Sequence, residues 1–414
     1  MAVRRGGIEL FVGLAALVAL LGGFFFIVEL PKPAPDVAKL TDLELLGEHL
    51  FDDSNLSEPK GLACVACHDP FKARQGNNGS RLAAVARGSR PEIFGNRNTP
   101  TIMYSMFSTP FAFVKVVGEN GRVEHVPTGG QFWDGRAATL AEQARGPFLN
   151  PLEMNNPSVE AVVAKVRASK YAHLMRKVFG ADAFSDSEVA FANISEAIAA
   201  YQKLPEFIPF ASRFDAYLRG EILFTEIETR GFELFKDPQK GNCLACHVGK
   251  ADSRKPEDWL FTDFTYDSAG VPRNAAIPVN ADADHYDLGL CKQPGIEKKA
   301  PAGFNIASLC GFFKVPTLRN IAQTAPYFHN GSIVELRDVV KFYATRDTNP
   351  EIWFTKLADG SVKKYDDLPP ESQIYVNADE VPYDRKRSGV PRLNDEEIDA
   401  IVAFLKTLSD PSVD

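Results

Sequence analysis

The run Cys64-Val65-Ala66-Cys67-His68 returns as Cys243-Leu244-Ala245-Cys246-His247. C-x-x-C-H is the attachment site of c-type haem: two thioethers clamp the porphyrin vinyl groups, and the adjacent His ligates the iron from one face. The chain holds only six Cys and seven His in 414 residues, so two complete copies are not a product of composition. A zinc site needs four ligands near one point, and each cluster offers three. A dithiol redox pair has no use for the following His. The chain must therefore build two haem-holding loops about 180 residues apart, which favours two domains.

The composition is that of a globular protein, 45% hydrophobic and 24% charged. A net charge of −8 and the lack of a long basic run speak against nucleic acid as a partner and leave room for a basic redox protein. Leu10 to Val28 form an apolar run preceded by Arg4 and Arg5. About 20 residues span a bilayer. The run is longer than a signal-peptide core, and no clear A-x-A site follows it. Residues 1–30 are read as an uncleaved membrane anchor, with a removed signal peptide as the alternative. Both send the remainder across the membrane, because positive residues stay inside. Haem c is attached on that outer side in bacteria, so a periplasmic location is expected. Residues 31–37, with Pro31, Pro33 and Pro35, make a stiff spacer.

An internal repeat follows. Glu44 to Asp52, with Gly47, Leu50 and Phe51, precedes the first motif; Glu228 to Phe235, with Gly231 and Leu234, precedes the second. Each reads as a short amphipathic helix running into a haem loop. Each half closes on another helix: Ser187–Leu204 with Ile194, Ile198 and Tyr201, and Asn394–Leu408 with Ile398, Ile401, Phe404 and Leu405. Asn394 before three acidic residues is an N-cap. The expected fold is mainly α, with two tandem cytochrome c-like domains, 38–210 and 219–414, behind the N-terminal helix. Two stretches depart from helical periodicity. Residues 106–132 read as a hairpin turning at Gly118 to Gly121, and 250–312 as a long structured loop. Cys291 and Cys310 lie in that loop, outside the haem motifs. In an oxidising compartment a disulfide is the simple reading, worth about 3 kcal/mol for a loop of this size; two buried thiols are the alternative.

Further stretches accompany the haem motifs: Arg97-Asn98-Thr99-Pro100-Thr101; Gln131 to Arg136 running through Gln143 and Pro147 to Asn150 and Glu153; Pro316 to Asn320 running to Thr324, Pro326 and His329; and Val339 to Tyr343. On these the chain resembles the bacterial dihaem cytochrome c peroxidase family, including its MauG-type branch, over nearly everything after residue 38. The resemblance implies two covalent haem c groups, a peroxidatic one in the N-terminal half and an electron-transfer one in the C-terminal half. Ordinary members use a Met at the position of Tyr343 as second ligand of the C-terminal haem. All five Met of this chain precede the second motif. MauG-type enzymes carry Tyr there, so Tyr343 is the expected ligand, a hard donor favouring ferric iron. The alternative makes Tyr343 a core aromatic and gives the iron to His285 or His329. Ordinary members also carry a distal His after the first motif. None lies between His68 and His125 here, which implies an iron open to peroxide; His125 is the possible substitute.

The resemblance assigns Glu153 as the acid–base carboxylate, Gln143 and Pro147 to the distal pocket, and Trp133 to the space between the haems. It places Ca²⁺ on Asn98, Thr324 and Pro326, oxygen donors of the kind that ion prefers. The expected function is reduction of hydrogen peroxide at the first haem, with electrons from a small cytochrome c or copper protein entering at the second. The close alternative is a MauG-type oxidase that uses peroxide-derived high-valent iron to modify a residue such as Trp on a partner protein. A pure electron carrier is the remaining reading.

Overall fold

Two nearly identical helix crossings set the architecture. The computed structural model describes residues 39–117, 121 and 123–411. The expected anchor at 10–28, its spacer and most of the turn at 118–121 lie outside the described residues. Among the described residues, no helix is long and apolar enough to cross a membrane.

Helices make most of the regular structure: α1 Asp42–Asp52, α2 Cys64–Cys67, α3 Leu140–Leu149, α4 Val159–Arg167, α5 Ala172–Phe179, α6 Ser187–Tyr201, α7 Arg213–Leu218, α8 Glu226–Lys236, α9 Ile296–Lys299, α10 Leu336–Thr345 and α11 Asp395–Lys406. The repeat seen in the sequence occupies α1 and α8. Both start in a capping box, Thr41 with Glu44 and Thr225 with Glu228, so two orphan donors at each N-terminus are satisfied reciprocally. Asn394 and Glu397 do the same for α11. The helix expected to reach Leu204 ends at Tyr201, where Gln202 caps it ahead of the turn Pro205–Phe207.

Helix α1 packs on α6, and α8 on α11. At each crossing the N-terminal helix presents a glycine. A Cβ on Gly47 would lie 2.0 Å from the Ala197 carbonyl oxygen, and one on Gly231 would lie 1.9 Å from that of Ala400. Around the first crossing one core gathers residues between Leu46 and Phe207; around the second, another gathers residues between Phe214 and Leu408. Phe51 meets Tyr201 with ring centroids 5.4 Å apart, and Phe235 meets Phe404 at 5.2 Å. These are the inward aromatics of the closing helices. Contacts join the chain from Leu40 onward into one unit. Arg97 forks onto Asp287 at 2.6 and 2.7 Å, and the Tyr104 hydroxyl donates to Asp410 at 2.7 Å, tying first half to second.

The sheets are small. Strands β1 Ala112–Val117 and β2 Val123–Thr128 form the expected antiparallel hairpin, with Lys115 opposite His125. Within 250–312, turns dominate, along with α9 and β3 Tyr266–Asp267; the latter pairs with β4 Phe313–Lys314. Cys291 and Cys310 are joined by a disulfide. It sits in a third apolar cluster, where Phe111 and Phe113 at the base of the hairpin pack on the loop.

Because backbone oxygens face both glycines, no side-chain rearrangement can make room there. Gly231→Ala should destabilise the holoprotein by about 1–3 kcal/mol, the usual cost of overpacking. Gly47→Ala should do the same in the first core. The check is the thermal midpoint of each variant, which should fall by several degrees.

Candidate active site

Each haem motif is a tight turn that aims a histidine. In the first, the His68 backbone N–H returns to the Cys64 carbonyl at 2.9 Å. The His68 Nδ1 lies 3.0 Å from the Arg74 carbonyl oxygen. A carbonyl only accepts, so Nδ1 carries the proton and Nε2 keeps its lone pair for a metal. Burial lowers the His68 pKa to about 4, which leaves the ring neutral, the ligating form. The second motif repeats the device. His247 Nδ1 lies 3.1 Å from the Phe261 carbonyl oxygen, and burial again holds the ring below its ordinary value. Burial pushes the four motif thiols up to about 12. A redox C-x-x-C needs the opposite shift. Among the described residues no three His, Cys, Asp or Glu side chains converge as a metal cage. Two neutral imidazoles with a free Nε2, each beside two thiols on the wall of a cavity, fit covalent haem.

The first cavity measures about 670 Å³ and is lined by Cys64, Cys67 and His68 together with Trp133, Gln143, Pro147 and Glu153. Pro147 lies inside α3. It has no N–H to return to the Gln143 carbonyl, and both residues line the cavity. The turn after α3 delivers Glu153, whose N–H donates to the Asn150 carbonyl at 3.0 Å. Asn150 Nδ2 in turn donates to Glu153 Oε1 at 2.7 Å, leaving Oε2 unclaimed. Burial raises the Glu153 pKa above the usual carboxylate range, against the opposing charge of Arg136 and the bond from Asn150. His285 also lines this cavity, and His125, held in the hairpin, lines neither cavity. Met103 and Met154 reach the wall but pack into apolar clusters.

The second cavity, about 190 Å³, is lined by Cys243, Cys246, His247 and Tyr343, and by no methionine. Tyr343 lies on α10, and its phenol is pushed above its ordinary value by burial and then by Asp267. Tyr383 lies beside it, ring centroids 5.4 Å apart. The two alternative ligands are placed otherwise. His329 also lines the second cavity, but its ring lies flat on Phe313 at 3.5 Å and its Nε2 is 3.2 Å from Asp367; His285 lines the first cavity. Trp133 lines both cavities, and its indole N–H donates to the Asn98 carbonyl at 2.8 Å.

Asn98, Thr324 and Pro326 also meet at the first cavity. Asn98 Nδ2 faces the carbonyl oxygens of Pro326 and Phe328 at 2.6 and 3.2 Å, while Asn98 Oδ1 accepts from Gln75 Nε2 at 3.0 Å. Gln75 Oε1 is buried without a partner. As the amides stand, Asn98 turns its donor, not its oxygen, to the two carbonyls. Turned over, it would set three neutral oxygens together, an arrangement that needs a cation such as Ca²⁺ between them. The Thr324 hydroxyl donates to the Ile321 carbonyl at 3.3 Å, and the oxygen that the resemblance offers to Ca²⁺ is its backbone carbonyl.

The family profile described as di-haem cytochrome c peroxidase matches residues 41–222. Over 392 residues the chain is 36% identical to the methylamine utilization protein MauG of Paracoccus denitrificans, covering 92% of this chain and 91% of that one. The chain belongs to the di-haem cytochrome c peroxidase family. It is also 30% identical over 315 residues to the cytochrome c551 peroxidase of Nitrosomonas europaea, 75% of each chain. The crystal structure of the diheme peroxidase BthA from Burkholderia thailandensis superposes with a TM-score of 0.82 at 38% identity, covering 92% of this chain and 87% of that one. Membership in the di-haem peroxidase family brings two haem c groups and makes the chain an oxidoreductase, of the peroxidase or the MauG kind.

The sequence stretches named Asn150 and Arg136 without giving either a role, and Lys314 stands outside all of them. No periodicity or spacing marks such residues, because each acts on a partner distant in the chain or across a turn. The raised pKa of Glu153 has a consequence for catalysis. A carboxyl works as a base only when ionised, so peroxide turnover should be lost as pH falls through a value above the ordinary range near 4.5. Asn150→Ala removes the bond that favours the charged form, and the acid limb of a pH–kcat profile should move to higher pH.

Proposed function

We propose that this protein is a peroxidase that reduces hydrogen peroxide to two waters at its N-terminal haem, with two electrons and two protons. The electrons enter at the C-terminal haem from a small cytochrome c or copper protein. When bound, the haem irons supply the redox chemistry, cleavage of the O–O bond at one and electron relay at the other. The chain's own residues do the rest. Glu153 Oε2, free because Asn150 engages Oε1, takes the proton from the inner peroxide oxygen and returns it to the outer one. Gln143 holds peroxide or water by hydrogen bonds. Trp133, in the wall common to both cavities, shortens the electron hop. His68 and His247 would each ligate a bound haem iron, and Tyr343 would be a further protein ligand of the second. Asn98 and Pro326, with Thr324 beside them, hold Ca²⁺. Residues 10–28 keep the protein at the periplasmic face of the inner membrane, or are removed as a signal peptide.

One observation carries this reading: a half-buried carboxylate, with one oxygen unpartnered among the described residues, shares a cavity with the C-x-x-C-H histidine. A pure electron carrier has no use for it, since such a protein gains from two strong axial ligands and little rearrangement. A second observation favours the MauG-type alternative, oxidation of a residue on a partner protein. It is the phenol of Tyr343 in a cavity lined by no methionine, a ligand set that favours higher oxidation states of iron.

The deciding experiment mixes ferric holoprotein with stoichiometric peroxide and then adds reduced cytochrome c. A peroxidase turns over. A MauG-type enzyme stays oxidised for long periods and turns over poorly. Two six-coordinate haems indifferent to peroxide would leave only the carrier. Glu153→Gln should lower turnover by about 10²–10⁴-fold with both haems retained. Tyr343→Phe should change the optical and EPR spectrum of the low-spin haem alone; an unchanged spectrum removes Tyr343 as its ligand.

A further inference from the structure

Lys314 stands in the wall between the two cavities and lines both. Strand β4 places it there: its backbone N–H donates to the Trp133 carbonyl at 2.9 Å, and its register partner is Tyr266. The ammonium has three protons to donate. One goes to Ser108 Oγ at 2.9 Å and one to the Gly130 carbonyl, while the ring of Phe264 lies 5.4 Å away. All three partners are neutral, and no carboxylate pairs with Lys314 among the described residues. Burial alone draws its pKa down to about 7. A cation stripped of water and given no counter-charge is costly, and folds keep such groups where an anion meets them.

The anion is supplied by the cofactor. A haem brings two propionates, and the walls receiving them differ. The first cavity has Arg87, Arg97, Arg136 and Lys292 besides Lys314. Among the described residues the second has Lys314 as its one Lys or Arg, against the carboxylates Asp267, Asp367 and Glu380. We propose that Lys314 is the counter-ion of a propionate of the second haem, a positioning residue that holds the edge of that haem against the Trp133 wall. Its charge also favours the ferrous state and so raises that haem's potential, opposing the phenol of Tyr343 in the same cavity. The proposal rests on a haem being attached at Cys243 and Cys246.

The test uses holoprotein carrying Lys314→Met, Lys314→Arg or Lys314→Gln. A pyridine haemochrome count establishes that two haems are present. Spectroelectrochemistry then gives the potential of each haem, and resonance Raman spectra give the propionate bending modes. Lys314→Met should lower the potential of the second haem and shift its propionate band, leaving the first haem unchanged. Lys314→Arg should restore both. Should the Met variant lose haem, Lys314→Gln is read in the same way, since it retains a donor for Ser108 and Gly130 without the charge. An unchanged second-haem potential and band with both haems in place overturns the proposal. So does a shift confined to the first haem. A wild-type protein with no haem at Cys243 and Cys246 overturns the reading beneath it, and the haem count tells the two failures apart.

Discussion

The close approach of α1 to α6, and of α8 to α11, is the constraint on which the remaining structure depends. A Cβ at either crossing would lie within 2.0 Å of a neighbouring carbonyl oxygen, closer than any side chain tolerates, and Gly47 and Gly231 occupy those two points. With the helices this close, Phe51 reaches Tyr201 and Phe235 reaches Phe404. The haem loop that follows each first helix then leaves from a rigid support. The loops add a second fixed element, a backbone carbonyl that takes the Nδ1 proton of each motif histidine. Ring orientation and tautomer are thereby set before any metal is present, which removes part of the ordering cost of ligation.

Water exclusion then sorts the ionisable groups by role. Burial disfavours the charged form of the two histidines, as ligands require, and raises Glu153 above the ordinary carboxylate range. The same exclusion makes Lys314 an unpaired cation and Tyr343 a reluctant acid. Both line the second cavity, where a bound iron and a propionate would reverse those preferences. The two halves thus share a plan in their helices and differ in their walls: a base and several cations at the first cavity, a phenol and one cation at the second.

Much of this was legible in the chain. The paired C-x-x-C-H motifs, the repeated helix before each, the closing helices with Tyr201 and Phe404, the hairpin and the Cys291–Cys310 bridge all rest on local signals: spacing, periodicity, capping and a count of six cysteines. Resemblance pointed to Glu153, Gln143, Pro147 and Trp133, which the fold brings to one cavity, and to Tyr343, which it brings to the other. Less legible were the fates of the spare histidines. In sequence, His285 and His329 look alike as ligands; in the fold, one joins the first cavity and the other lines the second, stacked on Phe313 and turned to Asp367.

The sequence by itself determined the cofactor chemistry, because covalent haem attachment needs its ligands within five consecutive residues. Helix periodicity likewise needs only a few turns of chain. The tertiary structure alone decided which groups share a wall, since Trp133 and Lys314 are separated by most of the second half's loops and meet only through a backbone hydrogen bond. It also decided which charges go uncompensated. Desolvation depends on everything packed around a group, and no stretch of chain carries that information locally.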